Sequence, residues 1–265
     1  MHVRFHGVRG SVPWTAPAAV GYGCNTACIE IVDERTAARL VLDAGSGIVG
    51  VVPPPDTRVS LLFTHYHWDH VLGLPYLASL FDPSCALSLH APVLPSYDPA
   101  WLPALFRAPY HPLPYESLAT HPQPRPVEPG AVAIDGFAVT ALPLNHPGGA
   151  MAYRIAGPSG DFVYATDHEF GDPAYDDPLA DFVRGAAALV IDAHFTPEES
   201  PLHAGWGHGD WRQCAELAAA HDVTALYLFH HKPGRTDREL DAIELAARAI
   251  HRDTHASREG HSLTI

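Results

Sequence analysis

The sequence predicts an α/β (α+β) fold, in which a β-sandwich carries helices on its outside. Hydrophobic residues make up 47% of the 265 residues, enough to build a large core. Short β-rich segments fill the first ninety residues, and the second half combines further strands with helices. No fixed-period repeat and no linker interrupts this pattern, so residues 1–265 are expected to form a single domain.

The individual elements follow from local patterns. In the first part, β-rich segments bounded by turn residues predict strands at 3–5, 28–32, 39–43 and 59–63. A helix is expected at 69–80, with Asp69 in its first turn, where negative charge is favourable. Further strands are expected at 137–142, 151–156, 161–165, 188–192 and 225–229, and helices at 174–184, 210–221 and 237–252.

Residues 91–130 differ in composition from the rest of the chain, because eleven of these forty residues are Pro. Proline lacks a backbone donor, so this insert is not expected to hold a long helix or a central strand. It is either a surface loop or an ordered flap beside a site, since long irregular segments in compact domains are often functional.

Composition narrows the classes of function. The chain has 16 Lys and Arg against 30 Asp and Glu, a net charge of −14. Binding to a nucleic-acid polymer through its backbone is therefore not expected, because such proteins are usually basic. No apolar stretch reaches the roughly 18 residues of a membrane span. The N-terminus lacks a signal-peptide core, and the four Cys form no CxxC pair, so we expect a reduced, cytoplasmic chain.

The strongest motif is a cluster of metal-ligand residue types, consistent with the high count of 19 His. His65, His67, Asp69 and His70 follow the apolar segment VSLLF within six residues. Imidazole and carboxylate groups suit zinc and related divalent ions. One ion takes about four ligands, so His65 and His67 could share one ion while Asp69 and His70 face a second.

Three more groups of the same kind lie at the ends of apolar segments. His146 ends LPLNH, Asp167 ends FVYATD and His230 ends ALYLFH. Strands that deliver polar side chains at their carboxyl ends commonly build a site at one edge of a sheet. Alternation along the last strand favours His230 over His231 as the ligand. We therefore expect two divalent metal ions, zinc first and manganese as an alternative.

The order HxHxDH, then His, Asp and His, resembles that of the metallo-β-lactamase fold over nearly the whole chain. The resemblance implies an αββα sandwich, two mixed β-sheets flanked by helices, with the metals at one edge. It implies one ion held by His65, His67 and His146, a second held by Asp69, His70 and His230, and a bridge between them at Asp167.

Further segments resemble the ribonuclease Z-like phosphodiesterase branch of that fold: FHGVRGSVP, GYGCNTACIEI and LVLDAGSG. By this resemblance Asp43 supports the metal loop and Asn25 belongs to a nearby GxN turn. GWGHGDWRQCAELAA is similar to the segment in which ribonuclease Z presents a catalytic His, which makes His208 the equivalent residue. LYLFHHKPGRTD looks like the last ligand strand of small relatives that open cyclic phosphodiesters.

These features predict a dinuclear hydrolase that cleaves a small, cyclic phosphodiester or a cyclic nucleotide. A hydroxide held between the metals would attack phosphorus, Asp69 would hold its proton, and His208 would protonate the leaving group. His168 and Glu169 are candidates for orienting the ligand imidazoles. His231 would either do the same or face the substrate, and the role of His194 is open.

Other functions remain as alternatives. The first is a tRNA 3′-end endonuclease of the ribonuclease Z type, against which the net charge argues, as does an insert that carries only Arg107 and Arg125 as basic residues. The second is a lactonase or thioesterase of the same fold, and the third a metal-binding protein without activity. Relatives in this branch are commonly dimers, which makes a homodimer possible.

Overall fold

The computed structural model describes residues 1–265, which form fourteen strands and five α-helices. The strands are β1 (His2–Gly7), β2 (Cys28–Val32), β3 (Arg39–Leu42), β4 (Arg58–Leu62), β5 (Ala86–Pro92), β6 (Arg125–Val127), β7 (Gly130–Ile134), β8 (Phe137–Leu144), β9 (Ala150–Ile155), β10 (Phe162–Ala165), β11 (Ala188–Asp192), β12 (Ala225–Phe229), β13 (Thr254–Ala256) and β14 (Ser262–Thr264). The helices are α1 (Trp68–Val71), α2 (Trp101–Leu105), α3 (Pro173–Val183), α4 (Trp211–Ala220) and α5 (Asp237–Arg248).

The strands form two mixed sheets of seven strands each, as expected for this fold class. The first sheet has the order β14-β1-β2-β3-β4-β5-β6, and the second has the order β13-β12-β11-β10-β9-β8-β7. In the second sheet β10, β11 and β12 are parallel, and β8 runs in the same direction because β9 is antiparallel to both β8 and β10. β13 is also parallel to β12, so five strands of this sheet end at the same edge.

Three apolar clusters hold four layers together. The largest lies between the two sheets and includes Phe5 and Tyr153. The second packs α3, α4 and α5 on the outer face of the second sheet. The third covers the outer face of the first sheet with α1, short 3₁₀ turns and the insert, from which Leu102, Phe106 and Tyr115 are buried.

The Pro-rich insert is thus part of the outer layer rather than a detached loop. Between the end of β5 and the start of β7 it contains only α2, a 3₁₀ turn at Tyr115–Ser117 and the short edge strand β6. The edge strand tolerates Pro126 because one side of an edge strand needs no partner. The insert also reaches the site edge, where the Tyr66 ring packs against Trp101 and the Ser96 hydroxyl donates to the Gly148 carbonyl.

The predicted helix at 69–80 is wrong. Only Trp68–Val71 is α-helical, and two 3₁₀ turns follow at Leu74–Tyr76 and Ala78–Leu80. Pro75 interrupts the hydrogen-bond ladder of an α-helix, and the apolar residues of this segment reach the core without continuous helix. The other three predicted helices appear within a few residues of their expected bounds.

Every predicted strand is present, but five strands were not predicted: the seven-residue β5 and the shorter β6, β7, β13 and β14. One of them had a readable signal. Asp135 and Gly136 both adopt positive φ between β7 and β8, and an Asp-Gly pair is a typical two-residue hairpin turn. None of the helices has the length and hydropathy that a membrane crossing requires.

Candidate metal centre

The residues of the predicted metal site meet at the edge where the strands of both sheets end. His65 follows β4, and Asp69 and His70 lie on α1. His146, Asp167 and His230 come one or two residues after β8, β10 and β12. Since β8, β10 and β12 end at the same edge, the fold explains why residues so distant in sequence are neighbours.

The first group of ligand atoms contains His65, His67, His146 and Asp167, all within 4.8 Å of one another. The Nε2 atoms of His65 and His146 lie 3.6 and 3.7 Å from Oδ2 of Asp167. His146 Nε2 is 3.0 Å from His67 Nδ1. Ligands in a tetrahedron around zinc lie about 3.3 Å apart when the bonds are about 2.0–2.1 Å, so these separations fit one ion.

The second group faces the other oxygen of Asp167. Its Oδ1 lies 3.4 Å from Nε2 of His70 and 3.3 Å from Nε2 of His230. The same two nitrogens are 3.4 and 3.0 Å from Oδ2 of Asp69. One carboxylate therefore directs its two oxygens to two separate groups of ligand atoms.

The orientation of the imidazoles fits metal binding. His70 Nδ1 donates to Asp43 at 2.9 Å, and His146 Nδ1 donates to the Gly207 carbonyl at 2.9 Å. In the neutral rings this leaves the Nε2 lone pairs directed into the site, as for metal-ligating His in general. His65 Nε2 is buried and has no hydrogen-bond partner in the protein, which a bound ion would supply.

Burial and the surrounding charges act together on these groups. Burial, reinforced by the neighbouring His70, holds the pKa of His65 well below its usual value and keeps the ring neutral. Burial alone would raise the pKa of Asp167, but His230, His70 and His65 hold it well below its usual range. A neutral imidazole and an ionised carboxylate are the states that bind divalent cations.

Asp43 supports this centre from below. Its carboxylate accepts hydrogen bonds from the backbone N–H of Thr64 at 2.7 Å, from His70 and from the hydroxyl of Tyr164 at 2.9 Å. The Thr64 hydroxyl, which also donates to Asp43, lies 3.0 Å from His65 Nδ1. Asp43 therefore contacts the loop backbone and His70 directly, and His65 through the Thr64 hydroxyl.

The loop after β1 supports the centre from another side. The Ser11 backbone N–H donates to Oδ2 of Asp69 at 2.7 Å. Gly10 packs directly against His230, because a Cβ there would lie 2.4 Å from the imidazole ring. The GVRGS motif thus has a packing function at the site, which the sequence pattern alone did not show.

His208 lies beside the centre and is held by Asp192. Its Nδ1 donates to Asp192 Oδ2 at 2.6 Å and lies 3.9 Å from Asp167. Burial lowers the pKa of His208, but the nearby carboxylates, Asp192 first, outweigh burial and raise it to about 9. His208 also shares the wall of an open cleft of about 420 Å³ with Ser11 and Trp68. The His208 imidazole is therefore presented to this cleft.

The structure answers the question about His194. Its Nδ1 donates to the backbone carbonyl of His230 at 2.9 Å, and its ring stacks on His208 with centroids 4.4 Å apart. Its backbone N–H donates to Asp192 at 2.9 Å. His194 therefore packs against both His208 and His230, which also stack on each other with centroids 5.0 Å apart.

Glu169 holds the loop that carries Gly207. Its carboxylate accepts hydrogen bonds from the backbone N–H groups of Gly205 and Gly207 at 2.7 and 2.6 Å. The Gly207 carbonyl in turn receives the His146 hydrogen bond. Glu169 thus orients His146 through the loop rather than by contacting the ring.

Two other sequence candidates, Asn25 and His168, do not contact the seven converging side chains directly. Asn25 bonds to Ser46 and Glu259. His168 accepts from the backbone of Asn145, next to His146, and donates to Asp176 at 3.0 Å. These two residues shape the loops around the site instead.

His231 faces away from the centre, where its Nε2 donates to the Ser257 carbonyl at 2.9 Å. Burial lowers the pKa of His231 to about 3, so the ring stays neutral inside the protein. The position of His231 does not fit contact with a substrate, which was one of the two roles expected for it.

Sequence reasoning missed Asp192, Gly10 and Ser11. A signal existed for Asp192, because it ends the apolar strand β11 at the same edge as the other strand-end groups. No comparable signal existed for Ser11, whose contribution is a backbone N–H and depends on a positive φ of 62°.

Comparison with known proteins identifies the family. The family described as "Beta-lactamase superfamily domain" matches residues 38–231. The chain belongs to this family. Eight curated relatives match, and all eight carry the name ribonuclease Z. One from Synechococcus sp. WH7803 is 25% identical over 88% of this chain and 85% of the relative, and one from Bradyrhizobium sp. ORS 278 is 28% identical over 86% and 90%.

Solved structures agree with this fold. A structure described as a new diphosphatase from the PhnP family superposes with a TM-score of 0.72 at 16% identity, covering 99% of this chain and 96% of that one. The short form of human tRNase Z superposes with a TM-score of 0.71 at 15% identity, covering 100% and 99%. The resemblance to the metallo-β-lactamase fold and its ribonuclease Z-like branch is confirmed, as is a metal-dependent hydrolase related to ribonuclease Z.

Proposed function

We propose that this hydrolase is a dinuclear phosphodiesterase acting on a small nucleotide-type phosphodiester. The observation that carries the proposal is the position of Asp167, whose two oxygens face two separate groups of ligand atoms. Two ions held by the two oxygens of one carboxylate would suit a phosphodiester, because such a pair can neutralise both the attacking and the leaving oxygen. The relatives named ribonuclease Z support the choice of a phosphodiester bond.

The residues that would hold the ions are those of the two groups. His65, His67 and His146 would hold the first ion, Asp69, His70 and His230 the second, and Asp167 both. Bound divalent ions supply Lewis acidity and lower the pKa of water toward neutrality. Zinc fits this set of nitrogen and oxygen ligands, and manganese is the second choice.

Two side chains of the cleft would move protons. The Oδ2 atom of Asp69 accepts a hydrogen bond from the Ser11 N–H, and the carboxylate lines the cleft. Asp69 would accept a proton from the attacking water. His208 carries a proton near neutral pH and lines the same cleft, so it would donate that proton to the leaving oxygen. Asp192 holds the His208 ring with Nδ1 inward, which leaves Nε2 as the donating atom.

The charges of the surface favour a small substrate over an RNA chain. Nine of the sixteen Lys and Arg side chains lie within ion-pair distance of a carboxylate. Arg9 is fully buried and bonds only to backbone carbonyls. Few cations remain to neutralise a polynucleotide backbone, and the net charge is −14.

Cleavage of tRNA 3′ ends is the second candidate. The names of the curated relatives favour it over a cyclic phosphodiester, and several of them align over most of their length. The sequence-based preference for a small cyclic substrate is therefore not confirmed. The net charge favours a small substrate, whereas the names of the relatives favour tRNA, so the rates on both kinds of substrate have to be compared directly.

The test uses the full chain loaded with zinc or manganese. Elemental analysis should give two ions per chain. Rates are then compared on 2′,3′- and 3′,5′-cyclic AMP, bis-p-nitrophenyl phosphate, a precursor tRNA and a lactone, with Asp167→Asn as the inactive control. Preferred cleavage of a cyclic nucleotide supports the proposal. Preferred cleavage of the precursor tRNA establishes the second candidate, and hydrolysis of the lactone alone refutes a phosphodiesterase.

A further inference from the structure

Two exposed tryptophans stand beside the metal centre. Of the five Trp residues, only Trp68 and Trp206 expose more than half of their surface, 69% and 61%. Isolated exposed apolar residues are common on proteins, but Trp68, at the start of α1, and Trp206, in the loop before α4, each adjoin a residue within hydrogen-bond distance of the candidate ligand His146. Trp68 follows His67, which lies 3.0 Å from His146 Nε2, and Trp206 precedes Gly207, whose carbonyl accepts from His146 Nδ1.

The backbone at Trp206 is fixed on both sides. Gly205 and Gly207 both have a φ of 84°, and both donate their N–H groups to the carboxylate of Glu169. Gly207 cannot carry a side chain, because a Cβ would lie 2.1 Å from His146 Nδ1. The loop therefore presents Trp206 at a set position relative to the centre.

The Trp206 ring is positioned without being covered. It contacts His203 edge to face, with centroids 4.9 Å apart, and the His203 ring in turn stacks on Phe195 at 4.5 Å. One contact orients the indole while most of its surface stays open to solvent. An oriented, open aromatic face is suited to stacking with a planar group, because stacking needs little further ordering of the side chain.

We infer that Trp206, together with Trp68, forms a subsite that stacks the nucleobase of the substrate while the phosphate lies at the metal centre. The inference rests on the proposed phosphodiesterase function and narrows its substrate to a base-bearing one. Stacking of a base on an aromatic side chain contributes about 5-fold to 100-fold in affinity and depends little on the identity of the base.

The experiment measures binding, so that it does not depend on turnover. Adenosine 5′-monophosphate and ribose 5-phosphate differ only in the base, and their affinities for the metal-loaded protein are compared by calorimetry. Trp206→Ala should lower the ratio of the two affinities at least fivefold, and Trp206→Phe should restore most of that ratio. Trp68 lies between two candidate ligands, so Trp206 gives the cleaner substitution.

Leu202→Ala is the matched control, because Leu202 lies on the same segment, is 79% exposed and is not aromatic. It should leave the ratio as in the wild type. An unchanged ratio in Trp206→Ala overturns the inference, as does a wild type that binds both ligands equally. Failure of the proposed function would appear separately, as a wild type that hydrolyses none of the phosphodiesters in the substrate panel.

Discussion

Replacing His208 by Ala tests the proton-transfer step directly. The His208 ring lies in the cleft beside Asp167. It belongs to neither of the two groups of side chains proposed to hold the ions. Because Asp192 outweighs burial and raises the pKa of His208 to about 9, the ring is mostly protonated at pH 7. His208→Ala therefore removes a loaded proton donor and should leave the metal content unchanged.

The magnitude depends on the leaving group. General acid catalysis contributes about 10²- to 10⁴-fold, which corresponds to roughly 3–5 kcal/mol of barrier. A ribose alkoxide is strongly basic and needs the proton as it leaves, so a cyclic nucleotide should lose nearly the whole factor. A p-nitrophenolate leaves readily without a proton, so bis-p-nitrophenyl phosphate should lose much less.

The assay compares kcat for both substrates in wild type and His208→Ala, with metal content measured on the same preparations. Asp192→Asn is the companion variant, because it keeps the shape but removes the charge that raises the pKa of His208. In Asp192→Asn the alkaline limb of the pH–rate profile should move to lower pH, since the imidazole loses its proton earlier.

Equal losses on both substrates would refute the reasoning and make His208 a residue that positions the substrate. Loss of one ion in His208→Ala would instead make it a ligand. Asp192, His194, His208 and His230 do place their ligand atoms within 4.8 Å of one another, so metal analysis is an essential part of this test.

Three further predictions concern charge and stability. Asp167→Asn should fold, because Asn tolerates the positive φ of 63°, but it should lose metal by elemental analysis and at least about 10³-fold in activity. Asp43→Ala should lower the free energy of unfolding by more than about 3 kcal/mol in urea titrations, because several buried donors lose their acceptor. Tyr164→Phe removes only one of these hydrogen bonds and should lower it by about 1–3 kcal/mol. Burial raises the pKa of Glu199, but hydrogen bonds, that of Arg235 first, lower it to about 2. The ionised Glu199 should therefore stabilise the fold fully above about pH 4.5 and lose this effect as the pH falls toward 2. The difference in unfolding free energy between wild type and Glu199→Gln should shrink over that range.

The sequence was most informative where a chemical pattern and a strand pattern coincide. HxHxDH after an apolar strand, and single His or Asp residues after later apolar strands, were enough to select the seven side chains that converge. The reason is topological: parallel strands of one sheet end at the same edge, so the strand ends become neighbours whatever their separation in sequence.

The sequence was least informative where backbone atoms hold the side chains of the site. Ser11 holds Asp69 through an N–H, and Gly207 holds His146 through a carbonyl, so neither residue type reveals its contribution. The helix predicted at 69–80 failed for a related reason, because apolar periodicity does not show where Pro75 divides a helix into short turns. The strand β13 is only three residues long and depends on its partner β12.

Three of the strand ends at the site share one conformation, and this constrains which residues can serve there. Asp43, Asp167 and His230 have φ values of 59°, 63° and 61°, the left-handed region that most side chains avoid. Asp and His are among the few residues other than Gly that adopt this region with some frequency, and both also bind or orient metal ligands. The left-handed residue turns the chain sharply as the strand ends and directs its side chain back into the site. At these positions the left-handed backbone conformation and the need for a metal ligand or its hydrogen-bond partner favour the same residue types. The buried apolar strand before each residue holds it in place.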